Sequence, residues 1–379
     1  VGGESRPLAC ARIAVDPMRP MADTGDDRPT IALTMGDPLG IGPEVLVKAL
    51  ADPSRRARAR YVIYGMGGAM ALAADRAGIE PFWWRAPRGS EAVRSDSARD
   101  RPILLHDYDP TDRGESWALS GPTPGRATKS GGHASFMFVE DAIADASKGL
   151  SGEGPEVDGI VTAPISKLAW SLAGRGKYPG HTELFATRFG AKRTRMMFHS
   201  PTMRVALVTA HVPLMEIRNV LTIGRVFDTI DLAHETLVEA GAKRARIAVC
   251  GLNPHAGEDG LLGDEEQRLI TPAIELAQRA GIDARGPFPG DTIFRDALSG
   301  SYDMVVAMYH DQGLIPVKLL EFDSAVNMTA GLPIVRTSPD HGTAYDIAGA
   351  NRANAGSMGS AIDLAVTMAT NRSALRDSA

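Results

Sequence analysis

Three histidines in the sequence each follow directly after a short apolar run. His211 comes after VALVTA, His255 after IAVCGLNP and His310 after MVVAMY. Such runs are typical of buried strands, and ligand crevices in α/β sheets lie beyond the carboxyl ends of the strands. Three neutral imidazoles with an open fourth position suit a catalytic Zn²⁺ or a similar divalent ion. The pattern therefore predicts a metal centre with His211, His255 and His310 as ligands.

Three further residues near this set are candidates for acid–base chemistry. Asp311 follows His310 directly, Asp291 lies in the loop PGDT, and Lys167 ends the segment TAPISK. A carboxylate beside a metal-bound imidazole either orients the ring or moves a proton, and an amine also accepts protons. The sequence leaves the general base open among these three residues and an ordered water.

A second set of polar residues follows His310 along the chain. Lys318, Asn327 and Arg336 supply an ammonium, an amide and a guanidinium, the last two at the ends of the apolar stretch VNMTAGLPIV. The fork of an arginine side chain matches the oxygens of a carboxylate or a phosphate. This set indicates a site for an anionic substrate, with unrelated surface residues as the alternative.

Short β-branched runs alternate with amphipathic segments from Thr30 onward. The runs include TIALT, YVIYG, DGIVTAP, RVALVTA, RIAVCG and YDMVVAM, and segments such as VFDTIDLAHETLVEAG separate them. This alternation is typical of an α/β protein with a largely parallel sheet. Four strand ends carry polar clusters (TAPISK, TAHVPL, LNPHAGE and MYHDQG), and we expect them to project into one site.

Composition and charge argue against several classes of protein. The 379 residues are 44% hydrophobic and 23% charged, which is typical of a globular chain. The formal charge of −5 argues against a general nucleic-acid binder. The two cysteines predict no disulfide framework, and no apolar run reaches the length of a membrane span. Because a secretory apolar region is also missing, we expect a cytoplasmic protein that binds neither nucleic acid nor membrane.

Familiar cofactor and hydrolase motifs are absent or altered. The segment GMGGAM follows a strand and opens a helix, but Met70 replaces the third glycine of the dinucleotide-binding fingerprint, and the acidic residue expected downstream is missing. We interpret this segment as a structural turn. The sequence also lacks a P-loop, a G-x-S-x-G nucleophile elbow and an H-E-x-x-H zinc helix, so it gives no support to kinase, α/β-hydrolase and zincin functions.

Seven motifs between Thr30 and about Thr370 carry a resemblance to a known family. They are TMGDPLGIGPEV, PGHTE, RVALVTAHVPL, CGLNPHAGE, AMYHDQG, VNMTAGLPIVRTS and DHGTAYDIAG. With these motifs the chain resembles the 4-hydroxythreonine-4-phosphate dehydrogenases of vitamin B6 biosynthesis, the PdxA family. Two loops, GDPLGIGPEV and DHGTAYDIAGANRANAG, are also similar to loops of isopropylmalate and isocitrate dehydrogenases. The resemblance implies a two-lobed α/β subunit of that dehydrogenase type, with a largely parallel sheet and the active site between the lobes.

We expect a disordered N-terminal tail at 1–29 and two lobes after it. The first lobe, on the cofactor side, comprises 30–145 and 330–379, and the second, at 146–329, carries the metal and the dimer contacts. The resemblance implies a homodimer whose subunits share the metal site, with His211, His255 and His310 as ligands.

The resemblance also assigns residues to the substrate and the cofactor. The substrate-contacting residues that it implies are His181, Thr182, Lys318, Asn327 and Arg336. The loop that opens with His341, Gly342, Thr343 and Ala344 corresponds to the loop that wraps the nicotinamide cofactor in the wider group.

The activity implied by the resemblance is a metal-dependent oxidation of 4-phosphooxy-L-threonine to a β-keto acid that loses CO₂. The cofactor is NAD or NADP, and the metal is Zn²⁺, Mg²⁺, Co²⁺ or Mn²⁺. Family members that act on D-threonate or D-erythronate 4-phosphate share the same catalytic set, so these phosphorylated hydroxy acids are alternative substrates. A metal-dependent hydrolase also uses three histidines and a carboxylate, and a phosphate-ligand sensor without turnover is a third alternative.

Overall fold

The computed structural model describes residues 28–90, 101–109, 125–154 and 157–377. The predicted tail at 1–29 lies outside these residues except for its last two positions. No helix in the described ranges is long and apolar enough to cross a membrane. The cytoplasmic location stays a prediction.

One sheet runs through the described part of the chain. Its strands are β1 (Thr30–Thr34), β2 (Arg60–Gly65), β3 (Trp84–Pro87), β4 (Ile103–Asp107), β5 (Gly159–Thr162), β6 (Arg195–His199), β7 (Arg204–Leu207), β8 (Ile247–Cys250), β9 (Ala284–Phe288), β10 (Met304–Ala307), β11 (Val326–Ala330) and β12 (Val335–Pro339). Their order across the sheet is β3-β4-β2-β1-β5-β12-β11-β6-β7-β10-β8-β9. Among the described residues eight of the eleven strand pairings are parallel, which confirms the predicted α/β class.

Helices cover both faces of this sheet. The α-helices of the described ranges are α1 (Gly42–Leu50), α2 (Pro53–Ala57), α3 (Gly67–Ala77), α4 (Lys129–Ser151), α5 (Lys167–Leu172), α6 (His181–Arg188), α7 (Ile217–Val220), α8 (Ile223–Glu239), α9 (Thr271–Arg279), α10 (Ile293–Leu298), α11 (His310–Glu321) and α12 (Gly356–Asp377). α4 packs on β1 and β2, α8 packs on β7, β8 and β10, and α12 packs on β5 and β12. Every residue of β1, β5, β8 and β10 is buried. A strand covered on both faces reads as a continuous apolar run, which is why the sequence located these strands.

Strand direction reverses in the middle of the sheet. β11 runs antiparallel to β12 and to β6, and β6 runs antiparallel to β7. β7, β10 and β8 are parallel to one another, so their carboxyl ends, which lead to His211, His310 and His255, lie at the same edge. β5, whose end carries TAPISK, runs the opposite way, parallel to β12. Three of the four polar strand ends therefore share an edge, and the fourth does not.

The predicted lobes are joined within this sheet. β5 falls in the predicted second lobe but pairs with β1 and β12, which both fall in the first. The division into lobes stays a prediction.

The turn GMGGAM is occupied by carboxylates of the chain itself. At the start of α3, the Gly67 N–H donates to Asp107 Oδ1 at 2.8 Å and the Gly68 N–H donates to Asp109 Oδ2 at 2.6 Å. Amides that already bind carboxylates are not free to bind a pyrophosphate. The interpretation of this segment as a structural turn is confirmed.

Candidate active site

His211 and His310 lie next to each other beyond the ends of β7 and β10. Their ring centroids are 5.9 Å apart. Burial and the positive charges of Lys167 and His310 lower the pKa of His211 below its usual value. The imidazole of His211 is therefore neutral at physiological pH, the form that binds a metal ion. The two strand ends are tied by Thr209, whose hydroxyl donates to the Met308 carbonyl at 2.7 Å.

Asp311 holds the ring of His310. His310 Nδ1 lies 2.7 Å from Asp311 Oδ1. An ionised carboxylate only accepts hydrogen bonds, so we assign the donating proton to Nδ1, which leaves the Nε2 lone pair available. A carboxylate on the second nitrogen is the usual support of a metal-binding histidine. The pair therefore fits a metal ligand that binds through Nε2.

His255 lies in a left-handed turn after β8. Five consecutive residues, 255–259, have positive φ angles, between 44° at Glu258 and 84° at Gly257. Gly257 is the single glycine of the five, and each other residue in this region costs about 1–2 kcal/mol. Backbone strain of this kind is concentrated at functional sites. The turn leaves the His255 side chain exposed to solvent.

The three predicted metal ligands are not assembled within one subunit. In the described ranges, no three His, Cys, Asp or Glu side chains lie close enough together to hold a metal ion. His211 and His310 nevertheless fit two ligand positions, because both rings lie at the same edge of the sheet with their centroids 5.9 Å apart. His255 lies beyond the same edge but outside this pair.

Arg336 is buried in the middle of the sheet, on β12. The residue is only 3% exposed. Its Nη2 donates to the Thr162 hydroxyl at 2.6 Å and its Nη1 to the Thr329 hydroxyl at 3.3 Å, while Nε is buried with no hydrogen-bond partner in the described part of the chain. Burial lowers the pKa of Arg336 to about 10, and Glu183 opposes this shift. No carboxylate of the described residues forms a salt bridge with it, so the guanidinium is a poorly compensated positive charge.

His181 and Thr182 begin α6 beside this guanidinium. His181 Nε2 is buried and makes no hydrogen bond, and its ring packs edge-on against Trp170 with centroids 5.6 Å apart. Burial and the charge of Arg336 hold the pKa of His181 well below its usual value, so the ring is neutral. Thr182 Oγ1 lies 3.4 Å from Thr329 Oγ1. The amides at a helix N-terminus favour an anion, as does the neighbouring guanidinium.

Asn327 and Lys318 differ in how well their polar groups are satisfied. Asn327 lies on β11, and its Oδ1 is buried without a hydrogen-bond partner. Lys318 Nζ lies 3.3 Å from Asp340 Oδ2, just beyond β12. Burial raises the pKa of Asp340, although the charges of Lys318, His341 and His310 oppose the shift. Lys318 is therefore paired with a carboxylate, whereas the amide oxygen of Asn327 remains available as a hydrogen-bond acceptor.

The three candidates for the general base lie in different surroundings. Lys167 is exposed at the start of α5, and it is close enough to His211 to lower the pKa of that ring. Asp291 is exposed in the loop before α10. Asp311 is engaged by His310.

The predicted cofactor loop packs against the loop GDPLGIGPEV. The Ile41 N–H donates to the Thr343 carbonyl at 3.0 Å, and a Cβ added at Gly40 would lie 2.8 Å from the same oxygen. Ala344 has a φ of 40°, in the left-handed region. His341 Nδ1 lies 3.1 Å from the Gly342 carbonyl, and His341 Nε2 is buried without a partner. The two loops that resemble those of the wider dehydrogenase group are therefore in direct contact.

Asp37 and Tyr345 connect these two loops. The Tyr345 hydroxyl donates to Asp37 Oδ2 at 2.6 Å, and the Leu39 N–H donates to Asp37 Oδ1 at 3.0 Å. Asp37 is fully buried, and this burial raises its pKa while the two hydrogen bonds oppose the shift. The same Tyr345 hydroxyl also interacts with Ser166, which caps α5 directly before Lys167.

A cavity of about 280 Å³ opens beside the same loops. The residues around it include Pro38, Leu39, Met66, Gly68, Asp109, Gly349 and Asn351. It lies beyond the carboxyl ends of β1, β2 and β4, where α/β sheets bind their ligands.

Comparison with known proteins identifies the family of this chain. A family model described as "Pyridoxal phosphate biosynthetic protein PdxA" matches residues 72–365. The chain belongs to the PdxA family. This membership confirms the resemblance seen in the motifs and the predicted enzyme class, an oxidoreductase that acts on a CH–OH group, and it implies a nicotinamide cofactor.

Relatives within the PdxA family carry two kinds of name. The chain is 44% identical over 347 residues to a 4-hydroxythreonine-4-phosphate dehydrogenase of Geobacter metallireducens, covering 90% of this chain and 96% of that protein. It is 43% identical over 341 residues to a D-threonate 4-phosphate dehydrogenase of Salmonella typhimurium, covering 90% and 99%. A crystal structure of 4-hydroxythreonine-4-phosphate dehydrogenase from Klebsiella pneumoniae has a TM-score of 0.74 at 39% identity, covering 92% and 100%.

Sequence reasoning missed several residues of this PdxA-family site. Thr162 and Thr329 bind the Arg336 guanidinium, and Tyr345 binds Asp37. A signal for Thr329 was present, because it follows Asn327 by two residues and so lies on the same face of the strand. No signal existed for Thr162, since its contact depends on β5 pairing with β12.

Replacing Tyr345 with Phe removes the donor to the buried Asp37 carboxylate. A hydrogen bond to a charged group contributes about 1.5–3 kcal/mol, so we expect the free energy of unfolding to fall by that order near neutral pH. The substitution also raises the pKa of Asp37 further. Once Asp37 is protonated it no longer needs this donor, so the deficit relative to the parent should shrink as the pH falls through the raised pKa. Urea unfolding over a range of pH measures this difference.

Tyr302→Phe is the matched control for this experiment. The Tyr302 ring packs on Phe288 with centroids 5.6 Å apart, away from the two loops. Its difference from the parent should not change with pH. A deficit in Tyr345→Phe that is equally independent of pH would contradict the coupling to Asp37.

Proposed function

We propose that this chain oxidises 4-phosphooxy-L-threonine to a β-keto acid that loses CO₂, with NAD or NADP as the hydride acceptor and with a divalent metal ion. The observation that carries this proposal is the buried Arg336 guanidinium, which has no carboxylate partner among the described residues. Desolvation of an ion costs several kcal/mol unless an opposite charge and hydrogen bonds offset it. An anionic group of the substrate supplies that charge.

The residues around Arg336 supply the remaining contacts to such an anion. Nε of Arg336 is an unused donor, and the Thr162 and Thr329 hydroxyls hold the other two nitrogens of the fork in place. His181 and Thr182 add the N-terminus of α6. Because the His181 ring is neutral, it adds hydrogen-bonding capacity without a second positive charge.

Asn327 and Lys318 complete the proposed substrate contacts. The unused Asn327 Oδ1 is an acceptor for a hydroxyl or an ammonium group of the substrate. The ammonium group of Lys318, a residue of α11, lies at the end of β12, where it pairs with Asp340. Together with Arg336 these groups orient the substrate carbon that loses hydride, and such positioning accounts for a large part of enzymatic rate enhancement.

When bound, the divalent ion polarises the substrate hydroxyl, and the nicotinamide takes up the hydride. On the protein side, His211 offers a neutral ring and His310 offers Nε2, while Asp311 keeps the His310 ring in place. Imidazole ligands favour Zn²⁺ or Co²⁺ over Mg²⁺. Because Asp311 is committed to His310, Lys167 and Asp291 are the stronger candidates for accepting the hydroxyl proton.

The proposed cofactor site is the loop that opens with His341, Gly342, Thr343 and Ala344. The buried His341 Nε2 has no hydrogen-bond partner among the described residues and is available to a donor of the nicotinamide cofactor. The cavity beside this loop offers space for a further part of the dinucleotide.

A homodimer is part of this proposal, because the metal site is incomplete in a single chain. Each of the segments that carry the histidines also exposes large apolar side chains: Leu214 and Met215, Leu261 and Leu262, and Ile315, Leu319, Leu320 and Phe322. Exposed apolar groups concentrated in this way mark protein interfaces. A second copy that covers these segments brings its own histidines to the same edge and completes the site across the interface.

D-threonate 4-phosphate is the second candidate substrate, since a relative that is 43% identical carries that name; D-erythronate 4-phosphate belongs to the same alternative. The two classes differ at the carbon beside the carboxylate, which bears an amine in 4-phosphooxy-L-threonine and a hydroxyl in the sugar acids. Absorbance of reduced nicotinamide, followed with each compound in turn, distinguishes them. A metal-dependent hydrolase or a ligand sensor would give no such absorbance with any of the three.

Arg336→Lys keeps the positive charge but removes the planar fork. A hydrogen bond to a charged group contributes about 1.5–3 kcal/mol, which corresponds to a fall of about 10- to 100-fold in kcat/KM on the best substrate. The control is Arg246→Lys, because the Arg246 fork also donates from two nitrogens, to Asp303 at the opposite ends of β8 and β10, away from the proposed site. Steady-state kinetics with kcat/KM within about twofold of the parent in Arg336→Lys would remove Arg336 from the substrate site.

The metal role predicts a loss of bound metal on substitution of the histidines. His211→Ala, His255→Ala and His310→Ala should each lower the metal content of the purified protein and abolish turnover, while circular dichroism stays that of the parent. His234→Ala, outside the predicted set, is the control. Full activity of a chelator-treated preparation shown to be free of metal would refute this role.

The dimer proposal predicts that a charge on α11 separates the subunits and weakens metal binding together. Leu319 is 83% exposed, so Leu319→Glu should leave the single chain folded. We expect light scattering to give the monomer mass and metal content to fall with it. Leu168→Glu is the control, at a residue that is 61% exposed on α5. A parent protein that is monomeric at micromolar concentration and still binds metal would overturn the shared site.

A further inference from the structure

We infer that Gln312 is a positioning residue that ties together the three segments carrying His310, His255 and Asp291. The inference rests on the proposed metal role of the two histidines. Gln312 lies on the first turn of α11, two residues after His310. Its Oε1 accepts the Met308 N–H at 2.7 Å, and its Nε2 donates to the Gly251 carbonyl at 2.8 Å. The Gln312 amide thus connects the segment before His310 with the segment before His255.

The third segment packs directly onto the same amide. A Cβ added at Gly290 would lie 2.8 Å from Gln312 Nε2, so the loop PGDT approaches the amide as closely as a glycine permits. Asp291 is the next residue in that loop. The orientation of the Gln312 amide is unambiguous, because one partner is an N–H and the other a carbonyl.

The backbone ladder alone does not hold these segments in register. The pairing of β10 with β8 ends at Val306 and Val249. Met308 and Gly251 both lie beyond that last pair, where the two strands lead into the segments that carry the histidines. Gln312 spans this gap with two hydrogen bonds and so continues the connection by a side chain.

Glu266 holds the segment between Gly251 and the left-handed turn at 255–259. It is 3% exposed, and its Oε1 accepts the N–H groups of Leu252 and Asn253, both at 2.7 Å. Its Oε2 accepts from Asn253 Nδ2 at 2.9 Å. Gln312 therefore holds Gly251, and Glu266 holds the next two residues. A left-handed run of mostly non-glycine residues persists only where its surroundings determine it, and these bonds hold the three residues that lead towards it.

We expect the loss of Gln312 to change the placement of the proposed metal ligands rather than the fold. Without Gln312 the turn can relax, and His255 and His310 lose their relative placement, although the strands before them remain paired. Substitution of a residue that orients a metal ligand without binding the metal itself typically lowers metal affinity by about 10–100-fold. A residue with a merely structural role would lower stability without this effect.

Gln312→Met tests the inference, since it keeps the length of the side chain and removes both hydrogen bonds. The full chain, stripped of metal, is titrated with Co²⁺ while the visible absorption of the bound ion and competition with a chelator are recorded. We expect about tenfold weaker Co²⁺ binding and an altered spectrum, with kcat lowered more than the KM for substrate. Gln312→Glu keeps the acceptor for Met308 and loses the donor to Gly251, so its loss should be intermediate.

Gln278→Met is the matched control. Gln278 Nε2 donates to the Ala284 carbonyl at 2.8 Å, an equivalent bond in a segment that carries no candidate ligand. This variant should lose stability comparable to that of Gln312→Met and keep the Co²⁺ affinity and spectrum of the parent.

The outcomes separate this inference from the proposed function. If the parent binds Co²⁺ and folded Gln312→Met binds it with the same affinity and spectrum, the positioning role is overturned and the metal role stands. If the parent binds no Co²⁺, the metal role fails and the inference fails with it. If Gln312→Met does not fold, Gln312→Glu decides, and parent-like binding in that variant overturns the inference.

Discussion

The proposed site depends on one buried charge, the Arg336 guanidinium at the centre of the sheet, which has no carboxylate partner among the described residues. Arg336 lies on β12, next to the point where strand direction reverses. Threonine hydroxyls from β5 and β11 hold two of its nitrogens, and the third is unused. Such a group destabilises the empty protein, because a buried charge that lacks an opposite charge loses its hydration without full compensation. Its presence in a stable core is understandable when an anion binds there.

The electrostatics around this charge keep the neighbouring histidines neutral. Burial lowers the pKa of both His181 and His211, and the charges of Arg336 and Lys167 respectively lower it further. Neutral rings serve both proposed purposes, since a metal ion needs a free lone pair and an anion pocket needs hydrogen bonds without excess charge. The arrangement thus combines a poorly compensated cation, Arg336, with the neutral rings of His181 and His211. The proposed oxidation of an anionic hydroxy acid at a metal ion uses both.

Side-chain hydrogen bonds stabilise the loops that belong to the proposed site. Asp37 and Tyr345 join the two loops at the proposed cofactor side, while Glu266 holds the segment that leads into the left-handed turn of His255. By contrast, the amides at the start of α3 are occupied by Asp107 and Asp109, so they are not free to bind a pyrophosphate. Because each of these carboxylates binds backbone or tyrosine donors, each marks a place where the course of the chain is determined by a buried polar contact.

The sequence by itself determined the α/β class, several of the buried strands, the family and the types of the residues at the proposed site. Continuous apolar runs such as IAVC and MVVA identify strands that are buried on both faces, because no alternation is possible there. His211, His255 and His310 each follow such a run, and this shared position identified them as a set. Tertiary structure decided what the set can do. The antiparallel strands β11 and β6 reverse the direction of β5 relative to the strands that precede the histidines, and β11 brings Thr329 to Arg336. His255 lies outside the pair of His211 and His310. None of this is readable from spacing, since strand direction and cross-strand neighbours depend on contacts between residues far apart in the chain.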